Sequence, residues 1–159
     1  MKIRTINIKD NFDIATIIRS VLTEFGANKP GTVFYDDTTD DLFHLFKKSG
    51  SVYFIAEIDN KVVGGGGIFP TEGLPSDTCE LVKMYLLPEA RGLGIAKVII
   101  EKCILFAKEM GYKYIYLESM PELKNALSLY EKFGWKYLDK RVGSNHHSAC
   151  GLWMLYEIS

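Results

Sequence analysis

The residues with the clearest chemical potential are Arg91-Gly92-Leu93-Gly94-Ile95-Ala96, followed at once by Lys97. An apolar run with Leu81, Val82, Met84, Leu86 and Leu87 precedes them and stops at Pro88, which cannot donate to a strand ladder. Beyond them, Ile95, Val98, Ile99, Cys103, Phe106 and Met110 recur at steps of about three and four, one face of an amphipathic helix. The turn from strand to helix is therefore small and flanked by two cations. A helix start carries partial positive charge and ordinarily attracts acids, so cations there point to a bound anion. Free N–H groups and glycines that permit close approach would hold it. Phosphate or diphosphate is the natural occupant; an ordinary tight strand–helix connection is the competing reading. The turn is neither the G-x-x-x-x-G-K-[S/T] of a P-loop nor the G-x-G-x-x-G of a dinucleotide fold.

The hexapeptide resembles the Q/R-x-x-G-x-G/A signature of the GNAT superfamily of N-acetyltransferases, with Arg91 first, Gly94 fourth and Ala96 sixth. Leu129-Tyr130-Glu131-Lys132-Phe133-Gly134-Trp135 resembles that family's L-Y-x-x-x-G-F closing motif, and a strand-like K-Y-I-Y-L-E-S run lies between the two. The matching stretch covers residues 79 to 137, in the family's order. The resemblance implies an α/β (α+β) GNAT fold: a mixed, mostly antiparallel sheet of about seven strands, helices on both faces, and fourth and fifth strands splayed apart. It also implies acetyl-CoA as acetyl-donor cosubstrate and a primary amine acceptor that attacks directly in a ternary complex. The alternative is a catalytically silent acyl-CoA sensor on the same fold.

Carried onto this sequence, the resemblance gives the cosubstrate's pantetheine arm to the main chain of Met84, Tyr85 and Leu86. The diphosphate falls to Arg91, Gly92, Leu93, Gly94, Ile95, Ala96 and Lys97. Tyr130 fills the position from which family members protonate the departing thiolate, and a phenol suits that task at neutral pH. It also shares a helical face with Leu123, Ala126 and Leu127, as a core tyrosine would. Glu80 stands where some members place a general base toward the acceptor ammonium, Glu118 being a weaker alternative; a solvated edge carboxylate or a partner for Lys83 is the other reading of Glu80. Many members carry an asparagine early in the last helix, a position held here by Leu123, with Asn125 displaced by two. Phe34, Tyr35 and His147 are candidates for the acceptor pocket.

The whole chain must position these groups. At 159 residues it is expected to be one domain, residues 1–159, with a core that needs no staples. A net charge of −1 argues against a general nucleic-acid binder. No apolar run approaches a membrane span and the N-terminal alternation is not a signal peptide, so a cytoplasmic location is expected. Cys79, Cys103 and Cys150 lack paired spacing and read as buried thiols, with no metal expected. The family often dimerises, so a homodimer is within expectation. The hydrophobic periods give the order β-α-α-β-β-β-α-β-α-β-β. It includes a hairpin turn at Asp59-Asn60, a second helix over 40–48, a glycine tract (64–67) that reads as a bulge or close packing, and a last helix from Glu122 with Pro121 at its start.

Overall fold

The computed structural model describes residues 1–143 and 150–159. Among the described residues seven strands form one sheet: β1 (Lys2–Thr5), β2 (Val52–Ile58), β3 (Lys61–Phe69), β4 (Thr78–Leu86), β5 (Tyr114–Ser119), β6 (Lys136–Tyr137) and β7 (Leu152–Glu157). Their spatial order is β1-β2-β3-β4-β5-β7-β6. All neighbours are antiparallel except β4 and β5. The helices are α1 (Asn11–Glu24), α2 (Leu42–Leu45), α3 (Ile95–Glu109) and α4 (Lys124–Phe133). Two apolar layers result. Ile95, Ile99, Ile100 and Cys103 of α3 pack with Ile115 and Leu117, while Ile14, Ile18 and Leu22 of α1 pack with Tyr53 and Ile55. The expected mixed sheet with helices on both faces is what the chain forms.

Local chemistry explains most boundaries. Asp59 and Asn60 both take positive φ (51° and 64°), the conformation that a two-residue hairpin turn demands. Gly26 follows α1 at φ 69° and ends it. Two expectations change. The second helix shrinks to one turn at Leu42–Leu45, because Asp37–Asp40 instead form a short 3₁₀ turn capped by the Asp36 side chain, which accepts from the Thr38 amide. The last helix begins at Lys124, not beside Pro121, and Leu123 precedes it without a side-chain cap.

The feature that matters for function is the parting of β4 from β5. They pair only at Thr78–Glu80 against Tyr114–Tyr116, although β4 runs on to Leu86 and β5 to Ser119. Opposite this stretch the β3–β4 register shifts between Gly65 and Gly67, and Lys83 adopts φ 52°. That is a bulge, an extra residue that bends the strand. The glycine tract is the reason β3 tolerates it. A Cβ on Gly66 would strike the Met84 sulfur, and one on Gly64 would strike the Tyr85 carbonyl oxygen. Among the described residues, no helix is long and apolar enough to cross a membrane.

Candidate active site

Where β4 and β5 diverge, a cleft of about 520 Å³ opens. Met84, Tyr85 and Leu86 of β4 and Leu117 of β5 contribute to its floor, Val21 and Phe25 at the end of α1 to one wall, and α4 to the other. At one end lies the turn into α3. Gly92 and Gly94 hold φ 74° and 81° there, and a Cβ on either would meet nothing within 4 Å. The backbone conformation, then, and not lack of space, requires glycine. Gly94 occupies the N-cap of α3 without a capping side chain, so the first amides of the helix keep their donors directed outward.

Within this turn the side chains play different parts. Arg91, Gly92, Gly94, Ile95, Ala96 and Lys97 line the cleft, whereas Leu93 is 61% exposed and is absent from the lining. Lys97 reaches into solvent, 4.0 Å from Glu101. Arg91, expected as a cation beside a phosphate, also lines the cleft, and its guanidinium is engaged within the protein. Its Nε and Nη2 donate to the Leu86 carbonyl at 3.1 and 3.0 Å. Its Nη1 and Nη2 donate to the Glu24 carboxylate at 2.7 and 2.8 Å. That hydrogen bonding and charge hold the Glu24 carboxyl below its usual range.

A second, small cavity of about 40 Å³ adjoins the cleft through shared residues that include Lys83, Tyr85 and Glu118. Glu80 faces this cavity rather than the large cleft. It is 7% exposed and accepts the Thr71 hydroxyl at 2.6 Å. Glu118 accepts the Tyr116 hydroxyl at 2.7 Å and lies 3.6 Å from Arg141 Nε. Lys83 is buried with its ammonium 3.3 Å from Asp36. Burial pushes the Lys83 pKa down, and the charges of Asp36 and Glu80 restore only part of it.

Tyr130 lies in the large cleft, buried against Trp135 with ring centroids 5.8 Å apart. Burial pushes its phenol up, so it stays protonated at any ordinary pH. Phe34 and Tyr35 line neither cavity. Their neighbours Thr32 and Val33 face the small one instead, while Tyr35 is 60% exposed against Phe34. In the 3₁₀ turn Val33 enters the core, Phe34 packs partly buried against it, and Tyr35 is left exposed. His147 lies outside the described residues. Asn125, Ser128 and Lys132 all line the cleft, a contribution that counting from the family's asparagine position did not suggest. Their spacing of three and four, polar beside the apolar stripe, was the available signal. Among the described residues, no group of three or more His, Cys, Asp or Glu is placed to hold a metal.

Residues 17–135 match the acetyltransferase (GNAT) family. The chain belongs to that family. It is 42% identical over 157 residues to the uncharacterized N-acetyltransferase YjgM of Escherichia coli (strain K12), covering 98% of this chain and 93% of that one. It is 31% identical over 119 residues to human N-acetyltransferase 8B, covering 70% of this chain and about half (52%) of that protein. Among solved structures, a GNAT-family acetyltransferase from Staphylococcus aureus Mu50 superposes with a TM-score of 0.86 at 21% identity, covering 99% of both chains. YncA of Salmonella typhimurium, solved with its cofactor acetyl-CoA, gives a TM-score of 0.75 at 15% identity, over 100% of this chain and 94% of that one. These likenesses establish the GNAT fold, and this chain is a GNAT N-acetyltransferase.

Proposed function

We propose that this GNAT enzyme moves the acetyl group of acetyl-CoA onto a primary amine, which attacks directly while both substrates are bound. The observation that carries the reading is the cleft where β4 and β5 part, ending on the uncapped, glycine-bracketed start of α3. The cleft fits such a ligand in kind: a largely apolar trough suits a pantetheine arm, and the uncapped amides of a helix start suit a diphosphate. Gly92, Gly94, Ile95, Ala96 and Lys97 would hold the phosphates, Leu93 through its backbone alone. Main chain of Met84, Tyr85 and Leu86 would hold the arm. When bound, acetyl-CoA supplies an activated thioester carbonyl.

The chain's own groups then supply alignment and proton handling. Fixed backbone donors along β4 orient the acyl carbonyl and favour charge developing on its oxygen. Tyr130 holds a proton for the departing thiol, and its raised pKa keeps that proton in place until it is needed. Glu80, in the adjoining cavity, takes the acceptor's proton directly or through water, with Glu118 beside it on the same face of the sheet. Residues 1–159 act as one domain, and a cytoplasmic setting would supply the cosubstrate.

Calorimetric titration with coenzyme A and a thiol-release screen over amines test this together. Saturable uptake with acceptor-dependent thiol release is expected, and Glu80→Gln should lower kcat/KM by at least about tenfold. Uptake without release for any amine favours the silent sensor, whereas no uptake at millimolar coenzyme A overturns both.

A further inference from the structure

Arg91 is the first residue of the signature, and its guanidinium joins the turn before α3 to two other parts of the molecule, the end of β4 and the end of α1. Leu86, whose carbonyl it holds, is the last residue of β4 on the open side of the cleft. Glu24, which it grips with two parallel hydrogen bonds, is the last residue of α1. Phe25 follows, with its ring centroid 5.2 Å from the guanidinium carbon, and Phe25 together with Val21 forms the α1 wall of the cleft. A guanidinium has five N–H donors in a rigid fork. The four bonds to Leu86 and Glu24 leave little of that fork for a ligand. An ammonium on a single flexible stem could not span both partners.

We infer that Arg91 is a positioning residue and not a ligand of the phosphates: with Glu24 it staples the α1 wall to the end of β4 and sets the shape of the cleft along the pantetheine arm. The inference rests on the reading that the cleft takes coenzyme A. The diphosphate is then left to backbone amides and Lys97. The clamp explains how an arginine is accommodated at a helix-start position: Glu89 lies two residues before it, but the carboxylate it hydrogen-bonds comes from α1, 67 residues away.

Two ligands separate the roles. Coenzyme A is titrated by calorimetry, and pantetheine, which lacks the diphosphate, by ligand-observed NMR. The proteins are wild type, Glu24→Gln, Arg91→Gln, Arg91→Lys and the double variant Glu24→Gln/Arg91→Gln. The clamp predicts about three- to tenfold weaker binding of both ligands in each single variant, no rescue by Arg91→Lys, and a double variant no worse than Arg91→Gln alone. A direct phosphate contact predicts loss for coenzyme A only, recovery in Arg91→Lys, and equal or tighter binding in Glu24→Gln; any of these results overturns the clamp. Glu24 is a partly exposed surface carboxylate (39% side-chain exposure), so Glu24→Gln keeps the test valid if an Arg91 variant folds poorly. Failure of the wild type to bind coenzyme A would overturn the reading of the cleft and the inference with it. Normal wild-type binding with rescue by Arg91→Lys would sink the clamp alone.

Discussion

The two ends of the β4–β5 pair are built from one continuous stretch of sheet and behave oppositely. At the closed end, backbone answers backbone. Cys79 pairs with Ile115, and the Lys113 and Tyr114 amides both donate to the Asp77 carbonyl, at 2.7 and 3.2 Å. At the open end, side chains from other elements take over strand carbonyls. The Tyr53 hydroxyl donates to the Lys83 carbonyl at 2.7 Å, and Arg91 serves that of Leu86. A buried carbonyl without a partner costs about 1–3 kcal/mol, and these two are satisfied from β2 and from the turn before α3. The cleft is thus a region where the ladder's work has been reassigned, which leaves room for a ligand between two strands that still belong to one sheet.

The comparison can be broken or sharpened by substitution. The largest effect is expected from Tyr130→Phe, which keeps the ring that fills the open end and removes only the hydroxyl. Thiol release should show kcat about 100-fold lower with KM for acetyl-CoA little changed. An unaltered kcat would strike Tyr130 from the mechanism and reduce the open end to a binding trough.

Next comes Gly64→Ala, which adds a methyl group against the Tyr85 carbonyl and 2.5 Å from a Leu86 methyl. A loss of about 2 kcal/mol in urea unfolding is expected from this overpacking. A neutral result would mean that β3 and β4 can move apart at the open end.

Smallest is the effect of pH through Lys83, the buried cation of the open end. Burial lowers its pKa from 10.5, so between the lowered value and 10.5 the unfolded chain holds more protons than the folded one. The stability of wild type relative to Lys83→Gln should therefore rise as pH climbs through that window. Paired thermal melts that stay parallel across it would show that the ammonium is not desolvated as the geometry implies.

Much of this was legible in the residues alone. The Asp59-Asn60 hairpin follows from the turn chemistry of those two types, and the start of α3 from glycine spacing followed by a helical period. The glycine tract was readable as close packing, and Gly64 and Gly66 show against what. The start of α4 was not readable, because Pro121 is a permissive signal for a first turn rather than a command. Nor were the Glu24 partner of Arg91, the burial of Lys83, or the position of Asn125, Ser128 and Lys132 along the cleft. Each of these depends on which elements the sheet order brings side by side.

By itself the sequence determined what is local: periods of apolar residues that assign strand or helix, and glycines that admit positive φ at the turn before α3. It determined the family for the same reason, since the signature is a short stretch whose backbone must adopt one shape. Only the tertiary structure decided where β4 leaves β5, which cavity Glu80 faces, and that Arg91 holds α1. Dihedral preferences act between neighbours in the chain, whereas a hydrogen-bond partner 67 residues distant is chosen by packing.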